Sequence, residues 1–263
     1  MGKLDGKVAI MTGAGAGIGK ASALLYAKEG AKVVVACRTA SSGEETVSMI
    51  RKAGGEACFV KTDVAIADDV KRMIKVTLDN YGKLDILNNN AGIVEKQAPT
   101  HEVEEADWDR VISIDLKGTF LTMKFAIPEM LKRGGGVIIN AASVFGLVGF
   151  PGLPAYSAAK GGVVQLTKAA ALEYATRNIR VNCLCCSVIW TELMESSAME
   201  TAASVEEAKK RSVEFFAPIG RVGTPEDVAQ AALFLACDDS SFMTGVAFPL
   251  DGGFLASPHR FYL

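Results

Sequence analysis

The chain has 263 residues, of which 49% are hydrophobic and 22% charged, a composition typical of a globular protein and incompatible with a disordered one. Lys and Arg number 28 against 30 Asp and Glu, so the formal net charge of −2 leaves no broad basic surface for nucleic acid. The sequence shows no secretion signal, myristoylation signal or membrane-spanning run, which predicts a cytoplasmic protein that binds neither nucleic acid nor membrane.

Short β-branched segments alternate with longer amphipathic segments along the chain. The predicted strands are residues 8–12, 32–36, 57–61, 84–87, 136–140, 180–184 and 245–250. The predicted helices are residues 17–29, 43–53, 67–81, 105–132, 155–176 and 225–237, with a further short helix at 205–216. This alternation predicts an α/β fold with a doubly wound, seven-stranded parallel sheet and helices on both faces. No linker or repeat divides residues 1–263, so we expect one domain.

A glycine-rich segment, residues 12–19 with the sequence TGAGAGIG, joins the first strand to the first helix. Glycines let the backbone turn tightly and approach a pyrophosphate, and the helix N-terminus offers unpaired N–H groups. The segment therefore predicts a phosphate-binding site, although Ile18 stands where the common G-x-G-x-x-G pattern has its third glycine. A purely structural turn is the alternative. The candidate residues are Gly13, Ala16, Gly17, Ile18 and Gly19.

The end of the second strand indicates which dinucleotide binds. About twenty residues beyond the glycines, an NAD site has an acid for the ribose hydroxyls, whereas an NADP site has a cation for the 2′-phosphate. Here Cys37 occupies the acid position and Arg38 follows it. We therefore predict NADP (NADPH), with Arg38 on the phosphate and Thr39 assisting, and keep NAD as the alternative. In the second interpretation, Arg38 is a solvated surface residue and nearby serines only cap the next helix.

A tyrosine and a lysine four residues apart point to catalysis. Tyr156 and Lys160 share one face of a predicted helix, and Ser143 lies thirteen residues upstream, near a strand end. A free phenol has a pKa near 10, too high for efficient proton transfer at neutral pH. An ammonium about 4 Å away contributes roughly 4 kcal/mol at an effective dielectric of 20, which corresponds to about three pKa units. The alternative is a surface pair on an amphipathic helix.

These motifs together resemble the compact, single-domain type of short-chain dehydrogenase/reductase. The resemblance covers about residues 4–254 and rests on the glycine-rich segment, Asn89-Asn90-Ala91-Gly92, Ser143, Tyr156-x-x-x-Lys160, Thr191 and Asp251-Gly252-Gly253. It implies a Rossmann-like fold, NAD(P)-dependent interconversion of a carbonyl and an alcohol, and a homotetramer.

The resemblance also implies a role for each matching residue. Tyr156 is the proton donor to a ketone, Ser143 orients the ketone oxygen, and Lys160 binds the nicotinamide ribose and lowers the pKa of Tyr156. Asp63 and Val64 would meet the adenine, while Thr191 would hold the carboxamide. The remaining cofactor-binding residues are Asn90, Ala91, Gly92 and Ile189.

The chain departs from the family pattern at several positions. Asp115 stands where the family has its fourth catalytic residue, an asparagine. Its main-chain carbonyl leaves a proton relay open, but its carboxylate could instead pair with Lys160 and weaken the effect on Tyr156. Cys186-Ser187 replaces a Pro-Gly turn beside the nicotinamide, Trp190 replaces a small or acidic residue, and Asn88 replaces an apolar one.

Residues 191–218 follow the sixth strand and are predicted to cover the substrate, because open α/β sheets bind ligands at the carboxyl ends of their strands. An apolar lining predicts a hydrophobic or cyclic ketone; its residues are Val144, Phe145, Val148, Phe150, Leu153, Ile189, Trp190 and Met194. No metal is expected, since Cys183 and Cys186 lack further ligands at suitable spacing.

The sequence thus predicts an NADP-dependent oxidoreductase for a small ketone or secondary alcohol. An NAD-preferring alcohol or polyol dehydrogenase of the same fold is the first alternative. The second is a dinucleotide-binding regulator with weak catalysis, a hypothesis based on Asp115 and Cys186-Ser187.

Overall fold

The structure is a computed structural model that describes residues 2–199 and 202–256. Seven strands form one sheet in the order β3-β2-β1-β4-β5-β6-β7, and every neighbouring pair is parallel. The strands are β1 (Val8–Thr12), β2 (Lys32–Cys37), β3 (Ala57–Lys61), β4 (Ile86–Asn89), β5 (Gly136–Ser143), β6 (Ile179–Cys186) and β7 (Ala247–Leu250). The predicted doubly wound, Rossmann-like sheet is confirmed.

The helices connect successive strands. They are α1 (Gly17–Lys28), α2 (Ala40–Lys52), α3 (Ala67–Tyr81), α4 (Glu105–Val111), α5 (Gly118–Lys132), α6 (Pro154–Tyr174), α7 (Glu192–Met199), α8 (Val205–Phe216) and α9 (Pro225–Ala236). No helix in the described part of the chain is long and apolar enough to cross a membrane.

The helices cover both faces of the sheet because successive strand residues point to opposite sides. In β1, Ala9 and Met11 enter one apolar cluster, which also contains residues of α1, α2 and α9. Ile10 between them enters a second cluster, with residues of α3, α5 and α6. The strands are therefore buried on both sides, as expected for a parallel sheet.

The predicted boundaries were wrong where polar residues lie inside strands. β4 ends at Asn89, two residues later than predicted, because Asn88 and Asn89 are buried with hydrogen-bond partners. The Asn88 side-chain amide donates to the Tyr26 hydroxyl at 3.4 Å, and that of Asn89 donates to Asn140 Oδ1 at 2.9 Å. The predicted end of the fifth strand is also too early, since β5 continues to Ser143.

The segment predicted as a single helix over 105–132 is divided into three parts. A π-helical stretch, Ile112–Lys117, separates α4 from α5 and contains Asp115. Wide π turns of this kind are frequent at functional sites. The helix predicted at 205–216 is confirmed as α8, whereas α7 was not predicted.

The strand order reverses beside β1, which pairs with β2 on one side and with β4 on the other. The connections that leave β1 and β4 at their carboxyl ends turn in opposite directions here, and the crevice between them is where open α/β sheets bind ligands. The glycine-rich segment and Asn90-Ala91-Gly92 both emerge at this crevice.

Candidate active site

The glycine-rich segment forms a turn with close backbone approaches. Gly13 has a φ of +66°, and a Cβ added there would lie 2.9 Å from the Ala91 Cα. A Cβ on Gly19 would lie 2.3 Å from the carbonyl oxygen of Gly13. Ala16 precedes α1 and provides no side-chain cap, so the first N–H groups of the helix have no acceptor from that position. This arrangement fits a pyrophosphate at the N-terminus of α1.

Thr12 links the two loops of the crevice, a role that the sequence prediction missed. Its hydroxyl oxygen accepts hydrogen bonds from the Asn90 N–H at 3.0 Å and the Ala91 N–H at 3.1 Å. The Asn90 side-chain amide donates back to the Thr12 carbonyl at 3.3 Å. The only sequence feature that marks Thr12 is its place directly before Gly13. These bonds fix the spacing between the carboxyl ends of β1 and β4.

A cavity extends from the glycine turn along the ends of β2 and β3. The predicted cofactor residues that line it are Gly13, Ala16, Arg38, Thr39, Asp63, Val64, Ala91 and Gly92. The structure adds Gly15, Cys37, Ser42, Thr62, Ile93 and Ile114 to this lining. Residues that follow the carboxyl ends of four neighbouring strands, β3, β2, β1 and β4, thus line one cavity, a position that suits the adenosine half of a dinucleotide.

The charge around the end of β2 suits a phosphate. Arg38 is exposed at the cavity and makes no salt bridge with any residue that the structure describes. Burial raises the pKa of the neighbouring Cys37 thiol, which therefore stays neutral at physiological pH. No acid lies at this position to repel a 2′-phosphate.

Eight predicted cofactor residues do not line this cavity: Gly17, Ile18, Gly19, Asn90, Tyr156, Lys160, Ile189 and Thr191. Gly17 and Gly19 are in the first turn of α1, and the side chain of Ile18 packs against the interior. Ile189 is buried and forms a β-bridge with Gly223. Thr191 approaches the glycine turn, because a Cβ on Gly17 would lie 3.3 Å from its Cγ2. The Thr191 hydroxyl accepts the Met194 N–H at 3.2 Å at the start of α7, which leaves its O–H hydrogen for a carboxamide oxygen.

The three residues predicted to act on substrate come from β5 and α6. Ser143 is the last residue of β5, and its side-chain oxygen accepts the Phe145 N–H at 3.2 Å. Tyr156 is in the first turn of α6, with Lys160 one turn later. The Lys160 ammonium is 5.3 Å from the centroid of the Tyr156 ring and donates to the Ala141 carbonyl at 2.9 Å. The phenol and the ammonium are therefore neighbours on the inner side of the helix.

The sequence predicts that Lys160 lowers the pKa of Tyr156. Lys160 does act in this direction, but all the surrounding groups together raise the pKa, so the predicted net lowering was wrong. Desolvation by the surrounding protein raises this pKa most. The positive charge of Lys160 lowers it, as expected, and an interaction with the Ser143 side chain lowers it further, but the negative charge of Asp115 raises it. The phenol is consequently protonated at neutral pH.

Asp115 pairs with Lys160, the second of the two alternatives that the sequence left open. Its Oδ2 lies 3.0 Å from the Lys160 Nζ, and both side chains are buried. Its Oδ1 accepts the Ile93 N–H at 2.9 Å, while its main-chain carbonyl accepts the Thr119 hydroxyl at 2.7 Å. Desolvation opposes the Lys160 cation, yet attraction to Asp115 and to Tyr156 raises the pKa of Lys160 overall. Lys160 thus remains charged.

Aromatic side chains form a cluster that begins at Phe145, whose N–H donates to Ser143. Phe145 and Phe150 stack with their ring centroids 4.2 Å apart, and Phe216 of α8 lies 6.0 Å and 5.8 Å from them. Phe254 joins this aromatic cluster at 5.7 Å from Phe216, and Phe215 lies 4.6 Å from the same ring. Among the residues predicted to line the substrate site, Val144 is fully buried and cannot do so.

Polar and cation–π contacts join the end of β6 and Trp190 to α7 and α8. The Trp190 indole donates to Glu195 of α7 at 2.8 Å, and the Lys209 ammonium of α8 lies 5.2 Å from a Trp190 ring centroid. The Ser187 hydroxyl donates to the Phe216 carbonyl at 3.2 Å. Trp190 and Ser187, which depart from the family pattern, therefore connect β6 to α7 and α8.

Comparisons with known proteins agree with this architecture. A family model described as enoyl-(acyl carrier protein) reductase matches residues 13–255. The chain is 41% identical over 252 residues to a cyclohexanol dehydrogenase from Acinetobacter, covering 96% of each protein. It is 40% identical over 254 residues to the 3-oxoacyl-[acyl-carrier-protein] reductase of Thermotoga maritima, covering 95% of this chain and 98% of that one.

A solved structure from Burkholderia xenovorans, assigned to the short-chain dehydrogenases/reductases, superposes with a TM-score of 0.93 at 34% identity. The superposition covers 98% of this chain and all of the other. The crevice beside β1 and the Ser143, Tyr156 and Lys160 side chains lie in a fold shared along the whole length with such enzymes. The chain belongs to the short-chain dehydrogenase/reductase family and is an NAD(P)-dependent oxidoreductase with a small-molecule substrate.

Proposed function

We propose that the protein interconverts an apolar, cyclic ketone and its secondary alcohol with NADP(H), and that Tyr156 is the general acid and base. The observation that carries this proposal is the placement of the Tyr156 phenol beside the buried Lys160 cation, with Ser143 at the end of the neighbouring strand. The dinucleotide cavity opens along the same edge of the sheet. The proton donor and the cofactor-binding cavity therefore lie at the same edge of the sheet.

Proton transfer is the part of the reaction that these side chains perform. When bound, the nicotinamide supplies the hydride for the carbonyl carbon. The Ser143 hydroxyl holds the ketone oxygen, and the Tyr156 phenol gives this oxygen its proton, so that the alcohol forms and a phenolate remains. Lys160 stabilises the phenolate by its charge, and a solvent proton restores the phenol. In alcohol oxidation the proton moves the opposite way, from the alcohol to the phenolate.

The raised pKa of Tyr156 sets which protonation state of the phenol is available at neutral pH. Desolvation and Asp115 keep the phenol protonated, which is the form that donates to a ketone. Oxidation requires the phenolate, whose fraction is small at pH 7. At neutral pH Tyr156 is therefore in the form that reduces a ketone, while the net direction is set by the concentrations of ketone, alcohol and the two coenzyme forms.

NADP is the proposed cofactor because of the residues at the end of β2. Arg38 provides a charge-assisted hydrogen-bond donor at the cavity, and Thr39 lies beside it. Cys37 stands in the acid position as a neutral thiol. An NAD site would need a carboxylate there for the ribose hydroxyls.

The cyclic substrate class is supported by the aromatic cluster of Phe145, Phe150, Phe216 and Phe254, which begins two residues after Ser143. Flat aromatic faces suit a compact hydrocarbon ring. The similarity to a cyclohexanol dehydrogenase agrees with this class, whereas the similarity to a 3-oxoacyl-[acyl-carrier-protein] reductase makes an acyl substrate the competing one.

We further propose that residues 191–218 cover the substrate and that residues 1–263 form a single domain. The family also predicts a homotetramer.

A turnover assay tests this proposal. Cyclohexanone, a linear 3-oxoacyl thioester and a polyol are offered with NADPH and with NADH. We expect fastest turnover of cyclohexanone with NADPH, and loss of turnover in Tyr156→Phe with NADPH binding retained. Tyr174→Phe, which alters the far end of the same helix, is the matched control and should keep turnover. Tight NADPH binding without turnover of any carbonyl would support a regulator instead, and faster polyol or thioester turnover would overturn the substrate class.

A further inference from the structure

Glu95 is a buried carboxylate that the proposed reaction does not use. It lies in the loop after β4 and is only 4% exposed. Its two side-chain oxygens accept the main-chain N–H of Tyr156, at 3.0 Å and 3.1 Å. A carboxylate taken out of water without a cation is costly unless a specific partner compensates it. Here the partner is the backbone of the tyrosine proposed to transfer the proton.

The bond meets a local need at the start of α6. Leu153 precedes the helix and has no side-chain acceptor, and Pro154, its first residue, has no N–H. The N–H groups of the first turn have no acceptor within the helix. Glu95 supplies one from a distant loop and places a negative charge at the positive end of the helix dipole. It acts as an N-cap from outside the helix.

Further bonds join the same two loops. The Ala98 N–H donates to the Gly152 carbonyl at 3.0 Å, and the Gln97 side chain donates to the Pro151 carbonyl at 3.4 Å. Gly152 has a φ of +86°, and a Cβ there would lie 2.5 Å from Gln97 Cγ. The loop after β4 therefore lies directly against the chain that enters α6.

That loop is also connected to the other half of the catalytic pair. The Ile93 N–H donates to Asp115, and the other carboxylate oxygen of Asp115 contacts the Lys160 ammonium. One short stretch, residues 93–95, thus contacts Lys160 through Asp115 and holds the Tyr156 backbone through Glu95. The stretch fixes the position of both groups relative to the cofactor cleft, which begins three residues earlier at Asn90.

We propose that Glu95 is a positioning residue that holds the Tyr156 phenol at the distance needed for proton transfer. Rotation or fraying of the first turn of α6 would move the phenol relative to Ser143, which is on a different element. A shift of about 1 Å in a reacting group can lower a rate by about 100-fold. This inference rests on the proposed role of Tyr156, which is tested first with Tyr156→Phe.

Three variants of Glu95 distinguish positioning from general stability. Glu95→Ala removes the acceptor, and we expect kcat for ketone reduction to fall by about 10- to 100-fold with the KM for NADPH unchanged. Glu95→Gln keeps an oxygen that accepts the same N–H, so it should retain kcat within about threefold. The solvent deuterium isotope effect on kcat should rise in Glu95→Ala, because a misplaced phenol makes proton transfer rate-limiting. Glu95→Asp shortens the side chain by one methylene and so moves the carboxylate away from the Tyr156 N–H. This variant replaces Glu95→Ala in the test if Glu95→Ala does not fold.

Asp85→Ala is the matched control. The Asp85 carboxylate also accepts a main-chain N–H, that of Val8 at 2.8 Å, but at the opposite edge of the sheet. Its loss should lower the melting temperature without changing the isotope effect. The inference is overturned if Glu95→Ala keeps the wild-type kcat, if Glu95→Gln is equally impaired, or if only the KM for the ketone rises. Retained turnover in Tyr156→Phe would instead overturn the proposed function itself.

Discussion

The carboxylate of Asp115 lies 3.0 Å from the ammonium of Lys160, and neither side chain is exposed by more than 5%. This ion pair changes the electrostatics of the site, because the lysine cation that should acidify Tyr156 has an anion beside it. The effect of Asp115 on the pKa of Tyr156 is opposite in sign to that of Lys160. Both effects act in addition to desolvation, which is the larger one.

A pH dependence follows from the raised pKa of Tyr156. Ketone reduction needs the phenol and should be constant through neutral pH, then fall as the pH passes this pKa. Alcohol oxidation needs the phenolate and should rise over the same alkaline range. In Asp115→Asn the negative charge is removed, so the pKa of Tyr156 falls and both curves should move to lower pH. Profiles of kcat in the two directions, for both proteins, measure this shift.

The exposed Asp107→Asn is the control for that experiment, since Asp107 pairs with Arg110 on the surface of α4. It should leave both profiles in place. Superimposable profiles for Asp115→Asn and the wild type would show that the pair does not control the phenol.

Arg38 should decide the choice of coenzyme. Arg38→Ala removes the cation that we assign to the 2′-phosphate and should raise the KM for NADPH by about 10- to 100-fold, the range for a lost charge-assisted hydrogen bond. The KM for NADH should change by less than about threefold, because NADH lacks that phosphate. Steady-state kinetics with both coenzymes provide the measurement. Equal changes for the two would refute the assignment.

Phe216 should contribute to the binding of a cyclic ketone. Phe216→Ala opens the aromatic cluster and should lower kcat/KM for cyclohexanone by about tenfold, with less effect on acetone, because the smaller ketone makes fewer contacts. Phe234→Ala disrupts a different aromatic pair, with Phe248, and serves as the control. A similar loss for both ketones, or in both variants, would argue against a specific role for the cluster.

The glycine turn should tolerate no side chain at Gly13. Gly13→Ala forces a left-handed conformation on alanine, at roughly 1–2 kcal/mol, and places its Cβ 2.9 Å from the Ala91 backbone. Gly54→Ala has the same conformational cost at a φ of +85°, but no atom lies within 4 Å of its added Cβ. We therefore expect a larger loss in the free energy of unfolding for Gly13→Ala, together with weaker NADPH binding. Denaturant titration and coenzyme fluorescence measure the two effects, and equal losses would contradict the close approach.

The sequence by itself determined the seven strands in chain order, the doubly wound parallel sheet and the local motifs. The spacing of apolar residues is a local property of the sequence. For this reason α8, β1 and β3 were each predicted at their observed bounds. The glycine turn and the Tyr156–Lys160 spacing are local in the same sense. The end of β4 was missed because Asn88 and Asn89 become strand residues only through partners on other elements.

Only the tertiary structure decided how the charges around Tyr156 combine. From the sequence, Lys160 was expected to dominate, because it lies one helical turn from the tyrosine. Burial and Asp115 outweigh it, and both depend on the packing of the π-helical stretch and of the loop after β4 against α6. The bond between Glu95 and the Tyr156 N–H could not be predicted either, because the two residues are 61 positions apart in the sequence. Electrostatic effects depend on distance and solvent exposure in three dimensions, which spacing along a chain does not specify.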